Sequence, residues 1–323
     1  MKRILFTGDT LADSRRAELS KQGFEVIPAR IDMNEDELIA ALAGMDAYIL
    51  GGEEIATERV LMASKDYLKV ATFFGTGYEK YIAVPKALEL GIAVTNTPHA
   101  NAHSVAEFTV ALLLSTVKQV VSMNADTKAG QWKKAYTWDF SGKTVGIVGM
   151  GHVGEKVARI LKNGFNMDVV YYSKTRKPLI EDALGARFVS LEELCHASDV
   201  ISLHAQYSED TIGMLGEQQF AVMKKNAVLI NTARAELVDY KALSVALAED
   251  RIAMAAYDCY YEEPVPKTAE DKYDLLALPD SKFVITPHAA YNTADAIQSM
   301  EDIAIDNTIK VLSGEACANI IRK

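Results

Sequence analysis

Arg234, Glu263 and His288 are residue types that can together carry out chemistry on a hydroxy acid or a keto acid. An arginine binds a carboxylate through paired hydrogen bonds and polarises the adjacent carbonyl, and a histidine transfers the alcohol proton near neutral pH. A carboxylate beside the histidine stabilises its charged form. Arg234 and His288 follow the predicted strands Val228–Asn231 and 283–286, and α/β sheets bind ligands at such strand ends. Taken singly, Arg234 has the alternative interpretation of a surface arginine, a Glu-Pro pair is nearly uninformative, and a lone histidine is more often structural than catalytic.

A glycine-rich turn upstream supplies the context that these residues need. The run Gly149-Met150-Gly151-His152-Val153-Gly154 follows an apolar stretch and precedes a helix-forming one, 155–161. In this setting the first glycine permits a tight turn, the second lets the backbone approach a pyrophosphate, and the third allows close packing of helix and strand. The motif by itself is common and can be a simple turn. The order strand, turn and helix favours a dinucleotide site.

The residues after the next strand bear on the choice of dinucleotide. NAD-selective sites place an Asp or Glu there to bind the ribose 2′-hydroxyl. This chain has Ser173, Lys174 and Arg176 at that position and no carboxylate. These side chains would suit a 2′-phosphate, so the sequence favours NADP over NAD. The alternative interpretation is a solvated basic turn.

Composition excludes several classes of function. The chain has 323 residues, enough for two domains, and a formal charge of −10, which argues against binding to nucleic acid. Its apolar stretches are shorter than the roughly 20 residues of a membrane span. Cys195, Cys259 and Cys317 are widely spaced, which indicates reduced thiols in a cytoplasmic protein and no metal site.

Strand and helix signals alternate along most of the chain, which predicts an α/β fold with parallel sheets. The first region has short apolar runs that end at glycines or turn residues, and it is followed by a long helical segment, 101–129, with an apolar centre at 105–121. About six strands are then predicted for a second, doubly wound sheet: 144–148, 168–172, 200–203, 228–231, 254–257 and 283–286. A final helix, 294–312, is expected to return to the first region.

These signals predict two doubly wound parallel-sheet domains. The dinucleotide-binding Rossmann domain is expected to span residues 99–290. A smaller, flavodoxin-like substrate domain is expected to be discontinuous and to comprise residues 1–98 and 291–323. The apolar segment 101–129 would suit a dimer interface as well as a junction between domains.

Several motifs in one order resemble those of the D-isomer-specific 2-hydroxyacid dehydrogenases. They span roughly residues 68–290 and include the glycine-rich turn, the run 229–234 that ends at Arg234, Asp258 with Glu263-Pro264, and Thr286-Pro287-His288. The resemblance implies an NAD(P)-dependent oxidoreductase that interconverts a 2-keto acid and a D-2-hydroxy acid. It further implies that Arg234 binds substrate, that His288 is the acid/base, and that Glu263 pairs with His288.

The resemblance also implies which residues contact the ligands. Backbone N–H groups at Thr76 and Gly77 would bind the substrate carboxylate, beside Arg234 and His288. Asp258 would meet the nicotinamide amide. The expected cofactor-binding residues are Thr76, Gly149, Gly151, His152, Val153, Gly154, Ser173, Lys174, Arg176, His204, Ala205, Thr232, Ala233, Arg234, Asp258 and His288. Family members are commonly homodimers, which is the expectation here.

The chain departs from the family pattern on the substrate side. Ala235 stands where glycine usually follows the arginine, Gln206 replaces a common proline, and Ala289-Ala290 replaces the more usual glycines. The substrate loop has Glu79-Lys80-Tyr81-Ile82 where an Asp-x-Ile-Asp run is usual. No catalytic group is lost, but the substrate side chain stays undetermined.

Two other hypotheses remain open at this point. The same fold serves a nucleotide-sensing corepressor, which would make the chain a binding protein; no long tail for partner recruitment follows the fold. The catalytic core of a phosphoglycerate dehydrogenase is the other alternative, although the loop at Gly51-Gly52 lacks an arginine for a substrate phosphate. Turnover of 2-keto acids would separate an enzyme from a sensor.

Overall fold

The computed structural model describes residues 1–8 and 10–322. The chain divides into two compact units: unit 1 comprises Met1–Asn101 and Thr293–Lys323, and unit 2 comprises Ala102–Asn292. The strands are β1 (Lys2–Thr7), β2 (Phe24–Ala29), β3 (Ala47–Leu50), β4 (Val70–Phe73), β5 (Ala93–Asn96), β6 (Thr144–Val148), β7 (Asp168–Tyr172), β8 (Arg187–Phe188), β9 (Val200–Leu203), β10 (Val228–Asn231), β11 (Met254–Tyr257) and β12 (Phe283–Ile285). The helices are α1 (Asp13–Lys21), α2 (Glu35–Leu42), α3 (Glu58–Ser64), α4 (Val84–Glu89), α5 (Ala102–Val117), α6 (Val120–Lys128), α7 (His152–Phe165), α8 (Pro178–Leu184), α9 (Leu191–Ala197), α10 (Glu217–Val222), α11 (Tyr240–Ala248) and α12 (Ala294–Leu312).

Unit 1 is built on a parallel sheet with the strand order β2-β1-β3-β4-β5. Its inner strands are apolar on both faces because helices cover both sides of the sheet. One of these apolar layers includes Ile4 and Phe6 of β1 together with Ala304 and Ile305 of α12. The helix at the end of the chain therefore completes the core of the unit formed by its beginning. Pro28 is accommodated because β2 is an edge strand.

Unit 2 is built on a second parallel sheet with the order β12-β11-β10-β9-β6-β7-β8. The chain runs from β6 to β7 on one side and then returns to β9 on the other side. The strand order thus reverses at β6, and this point in a doubly wound sheet is where a ligand crevice forms. Both sheets are Rossmann-like α/β arrangements, which confirms the predicted fold class.

Three details of unit 2 differ from the sequence prediction. The sheet gains the two-residue strand β8, which is too short to show a pattern, and β12 ends at Ile285, one residue earlier than expected. The apolar segment 101–129 is broken into α5 and α6, because Gln119 adopts a left-handed φ of 50°. Within residues 1–8 and 10–322, no single helix is long and apolar enough to cross a membrane; α5 and α6, bent by 57°, meet that test only when they are counted together.

Candidate active site

His288 and Glu263 form a hydrogen-bonded pair in unit 2. His288 Nδ1 lies 2.9 Å from Glu263 Oε2, and the Tyr260 N–H donates to Glu263 Oε1 over 2.7 Å. Burial raises the pKa of Glu263. The hydrogen bond and charge of His288, the Tyr260 N–H and the charge of Arg234 outweigh burial and hold this pKa below its usual value. Glu263 is therefore an ionised partner for the imidazole. The pair uses Nδ1 of His288, so the nitrogen that could transfer a proton is Nε2.

The turn that carries His288 is held by the buried carboxylate of Asp258. Oδ1 of Asp258 accepts hydrogen bonds from Thr286 Oγ1 at 2.6 Å and from the Ala289 N–H at 2.9 Å, and Oδ2 accepts from the Ala290 N–H at 2.8 Å. His288 has a left-handed φ of 52°, which is uncommon for a residue with a side chain. Such a conformation persists when the surroundings determine it, and here Asp258 binds the chain on both sides of the histidine.

Arg234 lies just beyond the end of β10, on a turn made by Asn231. Asn231 Oδ1 accepts from the Ala233 N–H at 3.0 Å, and its Nδ2 donates to the Arg234 carbonyl over 2.9 Å. This is the side-chain turn geometry that Asn favours. Ala235, which replaces the usual glycine, opens a short 3₁₀ turn and is buried. The departure from the family pattern is thus accommodated without loss of the arginine.

The glycine-rich turn lies at the end of β6 and leads into α7. A Cβ atom on Gly149 would come within 2.5 Å of the Ala205 nitrogen, and one on Gly154 within 2.2 Å of the Gly149 oxygen. These two glycines are required by packing. At Gly151 a Cβ would meet no described atom within 4 Å, so the backbone there faces open space. Gly151 is also the N-cap of α7 and offers no side chain to its first N–H groups, which leaves them able to bind phosphate.

Neighbouring strand ends complete the wall of this crevice. His204 follows β9, its Nε2 lies 2.8 Å from Ser202 Oγ, and burial lowers its pKa to about 3, so the ring is uncharged. Thr232 follows β10 and shares a 2.7 Å hydrogen bond with Thr109 of α5. An uncharged histidine and small polar groups suit the close approach of a dinucleotide.

The predicted basic turn lies at the end of β7 and is already partly neutralised. Arg176 donates through Nε and Nη2 to Glu181 of α8, with the shortest N–O distance 2.7 Å. Those hydrogen bonds, together with one from the Tyr171 hydroxyl, lower the pKa of Glu181 to about 2. Ser173 Oγ donates to the Thr175 carbonyl. Lys174 is exposed, and the described residues include no ion pair to it.

The structure divides the predicted site residues between the two units. Arg234, Asp258, Glu263 and His288 all follow β10, β11 or β12 and are brought together, in the same unit as the glycine-rich turn. Thr76 and Gly77 lie in unit 1, after β4. In the part of the chain that the structure describes, no group of three His, Cys, Asp or Glu side chains is arranged to hold a metal ion.

Several supporting contacts were not identified from the sequence. Asp258, expected only to meet the nicotinamide amide, holds the His288 turn; Tyr260 binds Glu263 through its backbone, and Glu181 competes for Arg176. The turn at Asn231 could have been identified from the sequence, because an Asn side chain typically accepts from the backbone N–H two residues later, here that of Ala233. The contacts of Glu181 and Asp258 join residues that are 5 to 32 positions apart, and no local sequence pattern reveals them.

Comparisons with known proteins identify relatives of this chain. The sequence profile described as "D-isomer specific 2-hydroxyacid dehydrogenase, NAD binding domain" matches residues 110–290. A glyoxylate reductase of Thermococcus litoralis is 36% identical over 275 residues, which cover 82% of this chain and 80% of that protein.

Solved structures are similar over nearly the whole chain. The TT0316 protein of Thermus thermophilus has a TM-score of 0.87 and 33% identity, covering 99% of this chain and 100% of the other. The apo form of D-lactate dehydrogenase from Escherichia coli has a TM-score of 0.85 and 25% identity, with the same coverage.

Proposed function

The chain belongs to the D-isomer-specific 2-hydroxyacid dehydrogenase family, and we propose that it interconverts a small 2-keto acid and the corresponding 2-hydroxy acid. Membership in this family confirms the resemblance that the sequence motifs indicated, and it makes the chain an NAD(P)-dependent oxidoreductase. Glyoxylate is the first candidate substrate, because it is the substrate named for the Thermococcus litoralis relative. The hydrogen-bonded pair of His288 and Glu263, with Arg234 at the neighbouring strand end, is the observation that carries this proposal.

The residues of unit 2 fit a dinucleotide cofactor. Open space at Gly151, the uncapped start of α7 and the uncharged His204 are suited to a pyrophosphate and its nucleosides. When bound, the nicotinamide supplies or accepts the hydride. All other requirements of the reaction fall to side chains and backbone groups of the protein.

His288 is proposed to move the proton. In the reducing direction, Nε2 of the protonated ring donates to the carbonyl oxygen of the keto acid, and in the oxidising direction the neutral ring accepts the hydroxyl proton. Glu263 stays ionised and stabilises the protonated ring. Arg234 is proposed to bind the substrate carboxylate and polarise the carbonyl. The backbone N–H groups of Thr76 and Gly77 are proposed as further substrate-binding groups.

The test is turnover by the purified protein with a panel of keto acids and both reduced cofactors. Glyoxylate, hydroxypyruvate, pyruvate, branched 2-keto acids and 3-phosphohydroxypyruvate cover the substrate classes that the sequence left open. We expect His288→Ala to lose about 10²–10⁴-fold in kcat while binding the cofactor as the parent does. Arg234→Ala should lower kcat and raise the KM for the keto acid. His196→Ala, which changes an exposed histidine of α9, is the matched control and should keep full turnover. Near-normal turnover by the first two variants would contradict the assignment.

NADP is proposed as the preferred cofactor, with NAD as the alternative. The turn after β7 has Ser173, Lys174 and Arg176 and no carboxylate that would repel a 2′-phosphate. Because Glu181 already binds Arg176, we expect Lys174 to provide most of the preference. Measured dissociation constants for NADPH and NADH decide between the two cofactors.

A second copy of the chain is the proposed protein partner. No residue of α6 is buried, and Trp132 and Tyr136 in the segment that follows are 85% and 103% exposed. Val120 and Val121 add apolar surface at the start of α6. Large apolar side chains at the surface are typical of association sites. Light scattering should give the mass of a dimer for the parent, and Trp132→Ser with Tyr136→Ser should give the monomer.

A reducing compartment, the cytoplasm, is the proposed location. Cys195, Cys259 and Cys317 are buried and form no disulfide among the described residues. Burial raises the pKa of Cys195 to about 12, which keeps that thiol unreactive. Titration of the unfolded protein without reductant should find all three thiols, and a lower number would contradict the proposal.

A further inference from the structure

We infer that Asn96 and Asn307 position the Thr76-Gly77 peptide for the substrate carboxylate. This inference rests on the proposed function. Asn96 is the last residue of β5, and its Nδ2 donates to the Thr76 carbonyl over 2.9 Å. Asn307 of α12 donates through its own Nδ2 to the Asn96 carbonyl, also over 2.9 Å. Both side chains are buried, with 7% and 2% of their surface exposed.

The planarity of the peptide bond links this hydrogen bond to substrate binding. The Thr76 carbonyl and the Gly77 N–H belong to one trans peptide, so they point in opposite directions within a rigid plane. When Asn96 fixes the direction of the carbonyl, it fixes the direction of the N–H as well. The Thr97 N–H donates to the Gly75 carbonyl over 2.9 Å and holds the loop one residue earlier. A donor oriented before the substrate arrives costs less to organise on binding.

The support continues from Asn96 to the last residues of the fold. Oδ1 of Asn307 accepts hydrogen bonds from Asn319 Nδ2 at 3.0 Å and from Cys317 Sγ at 3.3 Å. The segment beyond α12 is itself held against β5, because the Ile321 N–H donates to the Val94 carbonyl over 2.8 Å. The orientation of the loop after β4 therefore depends on residues more than 200 positions further along the chain.

The alternative is that these amides only satisfy buried polar groups. Unit 1 offers a comparison in Thr308, the residue after Asn307, which is fully buried and shares a 2.9 Å hydrogen bond with Thr72. Thr308 lies on the same helix as Asn307 and is as deeply buried, but the described hydrogen bonds of Thr308 do not connect it to the loop after β4. Thr308→Val should therefore lower the melting temperature without changing substrate binding.

Asn96→Asp tests the inference with the least change of shape, because a carboxylate cannot donate to the Thr76 carbonyl. We expect the KM for the keto acid and the Ki of oxamate, an unreactive analogue, to rise about tenfold, as for the loss of one buried hydrogen bond. We expect kcat to stay within about threefold, because an interaction made equally in the bound and reacting states affects KM. The dissociation constant of NAD(P)H should change by a smaller factor than the KM does, because Thr76 is the only expected cofactor-binding residue in this loop. Asn307→Asp should also raise the KM for the keto acid and the Ki of oxamate, but by a smaller factor.

Three outcomes are decisive. A selective rise in KM and in the Ki of oxamate for both asparagine variants, with none for Thr308→Val, supports the inference. If the parent turns over 2-keto acids and Asn96→Asp binds oxamate as the parent does, the inference is wrong and the proposed function stands. If the parent turns over no 2-keto acid in the panel, the proposed function fails and the inference fails with it.

Discussion

Glu263 uses its two carboxylate oxygens for two different tasks. Oε2 contacts the imidazole of His288, and Oε1 accepts the backbone N–H of Tyr260, which fixes the direction of the carboxylate. Its lowered pKa keeps the group charged from mildly acidic to alkaline pH, so it favours the protonated ring throughout the range in which a histidine titrates. At the scale of single residues, the charge on Glu263 is thus proposed to set the pH range over which His288 acts as an acid.

Glu263→Gln should move this range to lower pH. Reduction requires the protonated ring and is lost as pH rises, and a neutral amide stabilises the charged ring less than a carboxylate does. The decline of the reductive kcat/KM should therefore begin at a lower pH in the variant than in the parent. The measurement is a pH profile with saturating cofactor, and superimposable profiles would show that Glu263 does not tune the acid.

The loop that joins β12 to α12 depends on Asp258 for its shape. Asp258→Asn replaces one of the two acceptor oxygens with an amide nitrogen, which cannot accept a hydrogen bond. Either the Ala290 N–H, or the Thr286 hydroxyl together with the Ala289 N–H, then loses its acceptor. Leaving a buried donor unpaired costs about 1–3 kcal/mol. We expect a lower melting temperature and a fall in kcat, because His288 is no longer held in its left-handed conformation. Unchanged kcat in a destabilised variant would mean that the turn keeps its shape without the carboxylate.

The turn between β7 and α8 is expected to determine the preference for one cofactor over the other. We expect a preference for NADPH over NADH of about tenfold, which corresponds to 1.4 kcal/mol. Lys174→Ala should reduce it more than Arg176→Ala does, since the Arg176 charge is balanced by Glu181, whose pKa of about 2 keeps it ionised. Ser173→Asp added to both changes should reverse the preference. Equal affinity of the parent for both cofactors would show that the turn is only solvated surface.

At the scale of the whole molecule, the final helix belongs to the core of unit 1. Ile305→Ala removes apolar volume from the layer that α12 shares with β1 and β3, and such changes cost about 2–5 kcal/mol. We expect the free energy of unfolding of unit 1 to fall by this amount. The dissociation constant of NAD(P)H should change little, because all the expected cofactor-binding residues except Thr76 lie in unit 2. Ile230→Ala in β10, which is equally buried, is the matched control and should destabilise the cofactor-binding unit. Urea unfolding followed with and without cofactor distinguishes the two variants.

The sequence by itself was sufficient for the features that depend on local pattern. Apolar runs of four or five residues identified β6, β7, β9, β10 and β11 with the bounds that the structure has, because strands buried on both faces carry continuous apolar side chains. The glycine-rich turn could be recognised because it lies between a strand and a helix, and two of its glycines, Gly149 and Gly154, are required by packing. The proposed roles of Arg234 and His288 rest on residue type, on placement at strand ends and on the family resemblance, and the variants described above test them.

Only the tertiary structure decided which of these groups meet and what holds them. The contacts of Asp258 with the His288 turn and of Glu181 with Arg176 depend on how loops fold back on one another, and no local pattern predicts either contact. The same is true of the break at Gln119, where one left-handed residue divides an apolar segment that composition alone would make a single helix. Asn307 reaches Asn96 because α12 packs on the sheet of unit 1. Hydrogen bonds between distant residues depend on how the core places the elements that carry them, so the sequence pattern near either residue does not indicate the other.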